Sequence, residues 1–204
     1  MPALTPANDL VRARNVSASE CYALLGKHPY STPQRIFDRL TSPALEIRTD
    51  QSEAMAIGSY MEPYVARYAA QKLGVKVRAA SRTIEHPTVS LCATPDYYIL
   101  NSRMLMEVKV SSILYGWNED DLHPHYEYQA RAQMACTNRD VCIVVALVGS
   151  AFYSIPVVRD ALKEERLLHA VDEFWQNHIL TGERPADVET QSGITAIVTE
   201  SKGK

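Results

Sequence analysis

Apolar residues recur at helical spacing in the first third of the chain, switch to alternation in the middle, and return to helical spacing near the end. Residues 19–25 predict a short helix, with Ser17 or Ser19 as its cap and Gly26 as its stop. Thr32-Pro33 opens a second helix to about Leu40, because proline suits a first turn. Residues 41–51 read as loop. A long helix follows from about Ser52 to Leu73 and ends at Gly74, with a kink or offset expected at Pro63. The middle is strand: residues 75–77, 82–85, 91–99 and 104–110 are short, β-rich and separated by turn chemistry. Residues 125–137 predict a helix, 141–148 a buried strand, 152–157 its hairpin partner and 160–179 an amphipathic closing helix. The segment after Pro185 reads as a loosely held tail. This order predicts one α+β (mixed α/β) domain over residues 1–204, with its core at about 12–186 and the tail at 187–204.

The alternation is most informative around Met104. Met104, Met106, Val108 and Val110 share one parity and form an apolar ladder for a core face, while Leu105, Glu107 and Lys109 share the other. A hairpin folded about Asn101-Ser102 pairs residues whose numbers sum to 203, which sets Asp96 opposite Glu107. Opposed side chains have Cβ atoms roughly 4.5–5.5 Å apart, and two like charges that close are unfavourable without a cation between them. With one, they form a hard-oxygen site suited to Mg²⁺ or Mn²⁺, to which the Val108 carbonyl adds a ligand. Lys109 then stands where an ammonium can orient an attacking water and offset phosphoryl charge, the arrangement for metal-assisted phosphodiester hydrolysis. The bland alternative is a surface hairpin with a solvated Glu107–Lys109 ion pair. An E-x-K tripeptide is cheap, since Glu200-Ser201-Lys202 repeats it in the tail.

Composition narrows the class. Apolar residues make up 46% of the chain and charged residues 22%, which is globular rather than disordered. The longest apolar run, residues 141–148, falls far short of the roughly 20 needed to span a bilayer, so no membrane association is expected. The opening Met-Pro-Ala-Leu-Thr-Pro has no basic start followed by an apolar stretch. Cysteines 21, 92, 136 and 142 form no C-x-x-C and no zinc spacing, so the expectation is a cytoplasmic chain with reduced thiols. Net charge is −3, yet residues 1–83 carry 11 basic against 7 acidic residues and the remainder 10 against 17. That asymmetry fits a phosphate-facing surface beside a carboxylate cluster, and equally fits scattered solvated charge. His28, His123 and His125 lack paired ligand spacing and read as loop residues. Tyr115 and Trp117 read as core or hinge, Phe174 and Trp175 as packing, and Tyr126 as a DNA contact or a wedge between helix and sheet.

Several ordered motifs resemble one family. Ser19-Glu20-Cys21-Tyr22-Ala23-Leu24-Leu25-Gly26 with Pro29-Tyr30, Gly58-Ser59-Tyr60-Met61-Glu62-Pro63, Thr94-Pro95-Asp96, Glu107-Val108-Lys109, Tyr126-Glu127-Tyr128-Gln129 with Gln133, and Phe174-Trp175 with Gly182-Glu183-Arg184-Pro185 are similar to elements of the YqaJ-like viral recombinase nucleases, the phage lambda exonuclease branch of the PD-(D/E)XK superfamily. The resemblance implies a central mixed sheet flanked by helices, behind a helical N-terminal segment. It implies a Mg²⁺-dependent deoxyribonuclease (Mn²⁺ substituting, one or two ions per site) that degrades duplex ends 5′ to 3′ to 5′-mononucleotides and leaves 3′ single strands. It also implies a ring-shaped homotrimer and a single-strand annealing protein as partner, in phage or prophage recombination within a bacterial cell.

By the same resemblance Asp96 and Glu107 hold the metal with the Val108 carbonyl, Lys109 serves the water, and Gln129 supports the site. Glu62, on the same helical face as Gly58, adds a carboxylate directly or through water, or is simply an acid beside a kink. Arg12 and Ser19 resemble the pair of a 5′-phosphate pocket, with Arg14 as the alternative ligand and helix capping as the alternative role of Ser19. The competing functions are a single-strand or flap-specific nuclease and a non-catalytic DNA-binding module of the same fold.

Overall fold

The structure, a computed structural model, describes residues 6–26, 28–42, 53–111, 117 and 122–186. Its helices are α1 (Pro6–Ala13), α2 (Pro33–Thr41), α3 (Glu53–Leu73), α4 (Pro124–Thr137) and α5 (Ala161–Phe174), with a 3₁₀ turn at Cys21–Leu25 and a π turn at Trp175–Ile179. The strands are β1 (Val16–Ser17), β2 (Val77–Ala79), β3 (Ile84–Glu85), β4 (Leu91–Ala93), β5 (Tyr97–Ile99), β6 (Met104–Ser111), β7 (Val141–Val148) and β8 (Ala151–Val158). They form a five-stranded mixed sheet in the order β2-β5-β6-β7-β8 and a three-stranded one in the order β1-β4-β3. The mixed α/β class expected from the sequence is the class observed.

Local chemistry accounts for most boundaries. Thr32 accepts from the Arg35 N–H at the start of α2, and Asp160 accepts from the Lys163 N–H at the start of α5. Asn138 closes α4 in the left-handed conformation at φ 49°. β8 carries Pro156 without penalty because it is an edge strand, paired only with β7. The hairpin register is the one the alternation predicts: Tyr97 pairs with Met106 and Tyr98 with Leu105.

Several expectations need correction. The residue pattern gives no helix before residue 19, whereas α1 occupies Pro6–Ala13, within the helical N-terminal segment that the resemblance implies. The 19–25 helix is a 3₁₀ turn that starts after Glu20, and no side chain caps it. Glu20 instead accepts from the Ser17 N–H, which stiffens the approach. The 75–77 strand lies two residues later, at Val77–Ala79, and the 82–85 strand shortens to Ile84–Glu85. The 91–99 strand is two strands in different sheets, because Thr94-Pro95-Asp96 breaks the ladder where Pro95 has no N–H to give. α3, by contrast, is the single long helix expected over residues 52–73, with Pro63 inside it. The 41–51 loop (beyond Ser42), Tyr115 and the tail with its second E-x-K lie outside the described residues.

The largest correction concerns the two faces of β6. The Met106 and Val108 side packs on Val65, Ala66 and Ala69 of α3, as an apolar core face should. The other side is buried too: Leu105 packs on Ala130 and Met134 of α4 together with Cys142 and Val144 of β7. β6 runs parallel to β7 in register from Met104↔Val141 to Ser111↔Val148, with α4 as the crossover. A strand in such a unit is covered on both faces. Glu107 therefore lies in the interior beneath a helix.

Leu105 is fully buried, whereas Leu100 in the hairpin turn is 42% exposed. Leu105→Ala is expected to cost about 2–5 kcal/mol and Leu100→Ala no more than about 0.5 kcal/mol. Urea unfolding midpoints measure both.

Candidate active site

The strand lengths create the site. β5 begins only at Tyr97, opposite Met106, while β6 continues to Ser111 with only β7 beside it. Beyond Met106 one edge of β6 has no strand partner. The Asp96 side chain takes that place: its Oδ2 accepts from the Val108 N–H at 2.8 Å. In an extended strand the N–H and C=O of a residue face the same neighbour, so the Val108 carbonyl points towards Asp96 as well.

Glu107 is 2% exposed, and each of its oxygens is held. Oε1 accepts from Lys109 Nζ at 2.7 Å and from Gln129 Nε2 at 2.6 Å, and Oε2 accepts from Gln133 Nε2 at 2.6 Å. Gln129 Oε1 accepts in turn from Lys109 Nζ at 3.0 Å. Gln129 and Gln133 are four residues apart on α4 and so share the face that looks down on β6. The ammonium of Lys109 also lies 5.3 Å from the centre of the Tyr126 ring, which is stacked on Trp117 at 4.9 Å.

Asp96 is the group under stress. Its Oδ1 is buried and has no hydrogen-bond partner among the described residues. Burial first, then the charges of Glu107 and Glu62, push its carboxyl well above the ordinary range, against the opposing pull of Lys109 and the Val108 N–H. Glu62, 6% exposed on α3, is raised by burial and by Glu107, with Lys109 opposing. Burial works to lower Lys109, but Glu107 and Asp96 outweigh it and hold the lysine raised, so it is an ammonium at neutral pH. The nearby His125 is pushed down to about 3 by burial and by His123, His28 and Lys109, and stays neutral.

These residues fit a hard divalent cation. An orphaned carboxylate oxygen, a carbonyl turned to the same side and a second carboxylate are the donors such an ion takes, and positive charge there would relieve Asp96. Among the described residues no three His, Cys, Asp or Glu side chains converge as a closed ligand set. Glu62 thus adds its charge from the α3 side without completing a cage.

Other expected residues are placed less centrally. Arg14 is held by Glu85 through two hydrogen bonds of 3.1 and 3.2 Å, so its guanidinium is committed. Arg12 lies in the last turn of α1, and its backbone carbonyl accepts from Arg39. The Ser19 hydroxyl meets that of Ser17 at 3.1 Å, and the Ser19 carbonyl meets His28 Nε2 at 3.0 Å. Ser19 is thus not a helix cap. His125 is a buried helical residue rather than a loop residue. The sequence motif contains Gln133 without assigning it a role. Its i, i+4 relation to Gln129, above a strand with an inward acid, was the signal for its role. The four described cysteines are free and buried, and no helix among the described residues is long and apolar enough to cross a membrane.

A sheet with a strand that outruns its neighbour, carrying paired acids and a lysine beneath a crossover helix, is the layout of the PD-(D/E)XK-like nuclease fold. The chain belongs to the YqaJ-like viral recombinase domain family, whose model matches residues 9–140. It is 25% identical over 181 residues to the uncharacterized protein YqaJ of Bacillus subtilis (strain 168), covering 86% of this chain and 56% of that one. The chain thus spans little more than half the length of that curated relative. Its fold is similar to the alkaline exonuclease LHK-Exo from Laribacter hongkongensis. A structure of LHK-Exo in complex with dAMP gives a TM-score of 0.71 at 21% identity over 87% of this chain and 94% of that one. A phage-related exonuclease from Haemophilus somnus 129PT gives 0.59 at 12% identity over 82% and 96%. At these identities the likeness is one of fold.

A carboxyl raised in the folded state keeps its proton more tightly there than in the unfolded chain. Stability from Asp96 is therefore lost as pH climbs from the ordinary carboxylate range towards its raised native value, and the penalty persists above. Asp96→Asn keeps an acceptor for the Val108 N–H and removes that penalty. In chelator at pH 8 the variant is expected to exceed wild type by about 0.5–2 kcal/mol, with the gain vanishing near pH 4. Chemical denaturation at the two pH values measures it; a variant less stable at pH 8 contradicts the assignment.

Proposed function

We propose that this protein is a Mg²⁺-dependent deoxyribonuclease that degrades one strand of duplex DNA from a 5′ end, releasing 5′-mononucleotides and leaving a 3′ single strand. The observation that carries the reading is the orphaned Asp96 Oδ1, set with the Val108 carbonyl and Glu107 beside the Lys109 ammonium. Family membership and the fold shared with exonucleases support it.

Asp96, Glu107 and the Val108 carbonyl would hold one or two ions, with Glu62 contributing charge or a water-mediated contact and Mn²⁺ able to substitute. A bound divalent ion supplies Lewis-acid stabilisation and a more acidic water. The remaining work belongs to the side chains. Lys109 is charged at working pH, so it does not act as a base; it orients the attacking water and offsets charge developing on the phosphoryl oxygens. Gln129 and Gln133 fix the Glu107 carboxylate, which saves reorganisation as charge develops. Arg12 and Ser19 are proposed to receive the 5′-phosphate, Arg14 being occupied by Glu85. A ring-shaped homotrimer would turn basic groups inward and acidic ones out, reconciling a net charge of −3 with DNA binding. A single-strand annealing protein is the proposed partner, and phage or prophage recombination in the bacterial cytoplasm the proposed setting.

The test is digestion of end-labelled duplex in Mg²⁺. Label at the 5′ terminus is expected to leave first, and faster from a 5′-phosphate than from a 5′-hydroxyl. Asp96→Ala and Lys109→Ala are each expected to lower kcat by about 10²–10³-fold. First release from the 3′ end overturns the polarity. Indifference to the end group favours a single-strand or flap-specific nuclease, and binding without any metal-dependent cleavage favours a non-catalytic module.

A further inference from the structure

A second cleft, of about 580 Å³, opens on the α4 side of the sheet and is lined by Arg78, Arg82, Arg139, Ser81, Tyr98 and Thr137 among others, with no carboxylate among its lining residues. The three arginines come from β2, from the segment between β2 and β3, and from the turn after α4. Arg78 stands on β2 in direct register with Tyr98 of β5, and Tyr98 pairs with Leu105 of β6. These residues therefore share the face that carries Glu107 and Lys109. Arg139 follows the left-handed cap of α4 and donates to the Ser102 carbonyl at 2.9 Å. The guanidiniums of Arg78 and Arg139 lie 5.2 and 5.3 Å from the centre of the Tyr98 ring, which positions both without neutralising either.

Arg82 is held through its backbone. Asn8, a buried side chain of α1, accepts from the Thr83 N–H at 2.9 Å and donates to the Ser81 carbonyl at 3.0 Å. Both peptide groups flanking Arg82 are thus pinned by one residue, while the Arg82 side chain is left in the cleft. The Thr83 and Thr94 hydroxyls meet at 2.8 Å and tie the same segment to the turn that carries Asp96. Six of the other described arginines are held in ion pairs: Arg14 with Glu85, Arg39 with Glu20, Arg103 with Asp140, Arg131 with Glu127, Arg159 with Glu164 and Arg184 with Asp38. Among the described residues none of the three cleft arginines is in an ion pair; Asp140, bonded to Arg103 outside the cleft lining, feels the charge of Arg139 without being paired to it. Three guanidiniums gathered in one cleft repel one another, and a polyanion relieves them.

The geometry points to a subsite for the phosphodiester backbone of a DNA strand, running from the Asp96 turn to the C-terminal end of α4. This rests on the nuclease reading for the identity of the polyanion. Continuity argues for DNA over an acidic polypeptide: the Ala80 N–H donates to the Asp96 carbonyl at 2.9 Å, so the Ser81–Arg82 end begins next to the reaction centre. Arg78 is two residues along and two strands across from Glu107, a separation of about 12 Å from strand geometry. At 3.4 Å of rise per nucleotide that is roughly three to four nucleotides from the cut.

The test is fluorescence anisotropy of labelled duplex and single-stranded DNA in chelator over a salt series. Arg82→Ala is expected to lower the slope of log affinity against log salt by about one, and Arg78→Ala/Arg82→Ala by about two, with affinity about tenfold or more weaker at moderate salt. Arg82→Lys should recover most of the affinity, and Arg166→Ala, which removes an equal charge from the exposed face of α5, should change neither quantity. Equal losses from Arg82→Ala and Arg166→Ala, or a wild type that binds no DNA, overturn the subsite. So does unchanged DNA binding in the double variant while polyglutamate binding is lost. Because binding is read without cleavage, the two proposals fail separately. Cleft-dependent binding with no hydrolysis in Mg²⁺ sinks the nuclease reading alone, and hydrolysis with unaltered binding in the variants sinks the subsite alone.

Discussion

The structure turns on one substitution of partners: a side-chain carboxylate stands where a strand should be. β6 is longer than β5, and the Val108 N–H left at the mismatch is taken by Asp96. A buried peptide group must be paired, so the bond fixes Asp96 as firmly as any ladder contact. Its consequence is electrostatic. Asp96 is drawn into the same interior neighbourhood as Glu107 and Glu62; besides burial, Glu107 and Glu62 make Asp96 harder to ionise, and Glu107 does the same to Glu62. Bonding and charge pull in opposite directions at one residue, and perturbed acids of this kind cluster at functional sites.

The remainder of the fold supports that tension. Glu107 can be buried because Lys109, Gln129 and Gln133 satisfy both of its oxygens, and an acid paired in this way does not unfold its surroundings. The glutamines reach it because α4 is the crossover between two parallel strands and lies across the sheet above β6. On the opposite face, the small and branched residues Val65, Ala66 and Ala69 let α3 approach closely enough to present Glu62. The layers that build the core are also the layers that deliver the polar groups.

Much of this was legible in the residues. Period-2 alternation and the Asn101-Ser102 turn predict the hairpin register, and the two observed pairs obey it; Asp96 lies one residue beyond the ladder and meets the Val108 N–H instead of pairing with Glu107. Where local pattern failed, long-range packing decided. Alternation cannot distinguish a strand with one wet face from one whose polar face lies under a helix, so Glu107 and Lys109 read as facing away from the core. The break at Thr94-Pro95-Asp96 was hidden by β-rich residues on both sides, which belong to different sheets. The bounds of α1 are not legible in the local pattern; the contact its buried Asn8 makes with Ser81 is 73 residues away in sequence. Gln133 was a letter in a motif until the helix placed it over Glu107.

The claim that Asp96 and Glu107 await a cation is tested most directly by the thermal midpoint in Mg²⁺ and in chelator, for wild type and Asp96→Asn. A ligand bound only by the folded state adds about 2.7 kcal/mol at a hundred times its Kd, which for a chain of this size raises the midpoint by roughly 5–10 °C. The account predicts that rise for wild type and little or none for Asp96→Asn. Equal shifts in the two proteins, or no shift in wild type at any Mg²⁺ concentration, would contradict it.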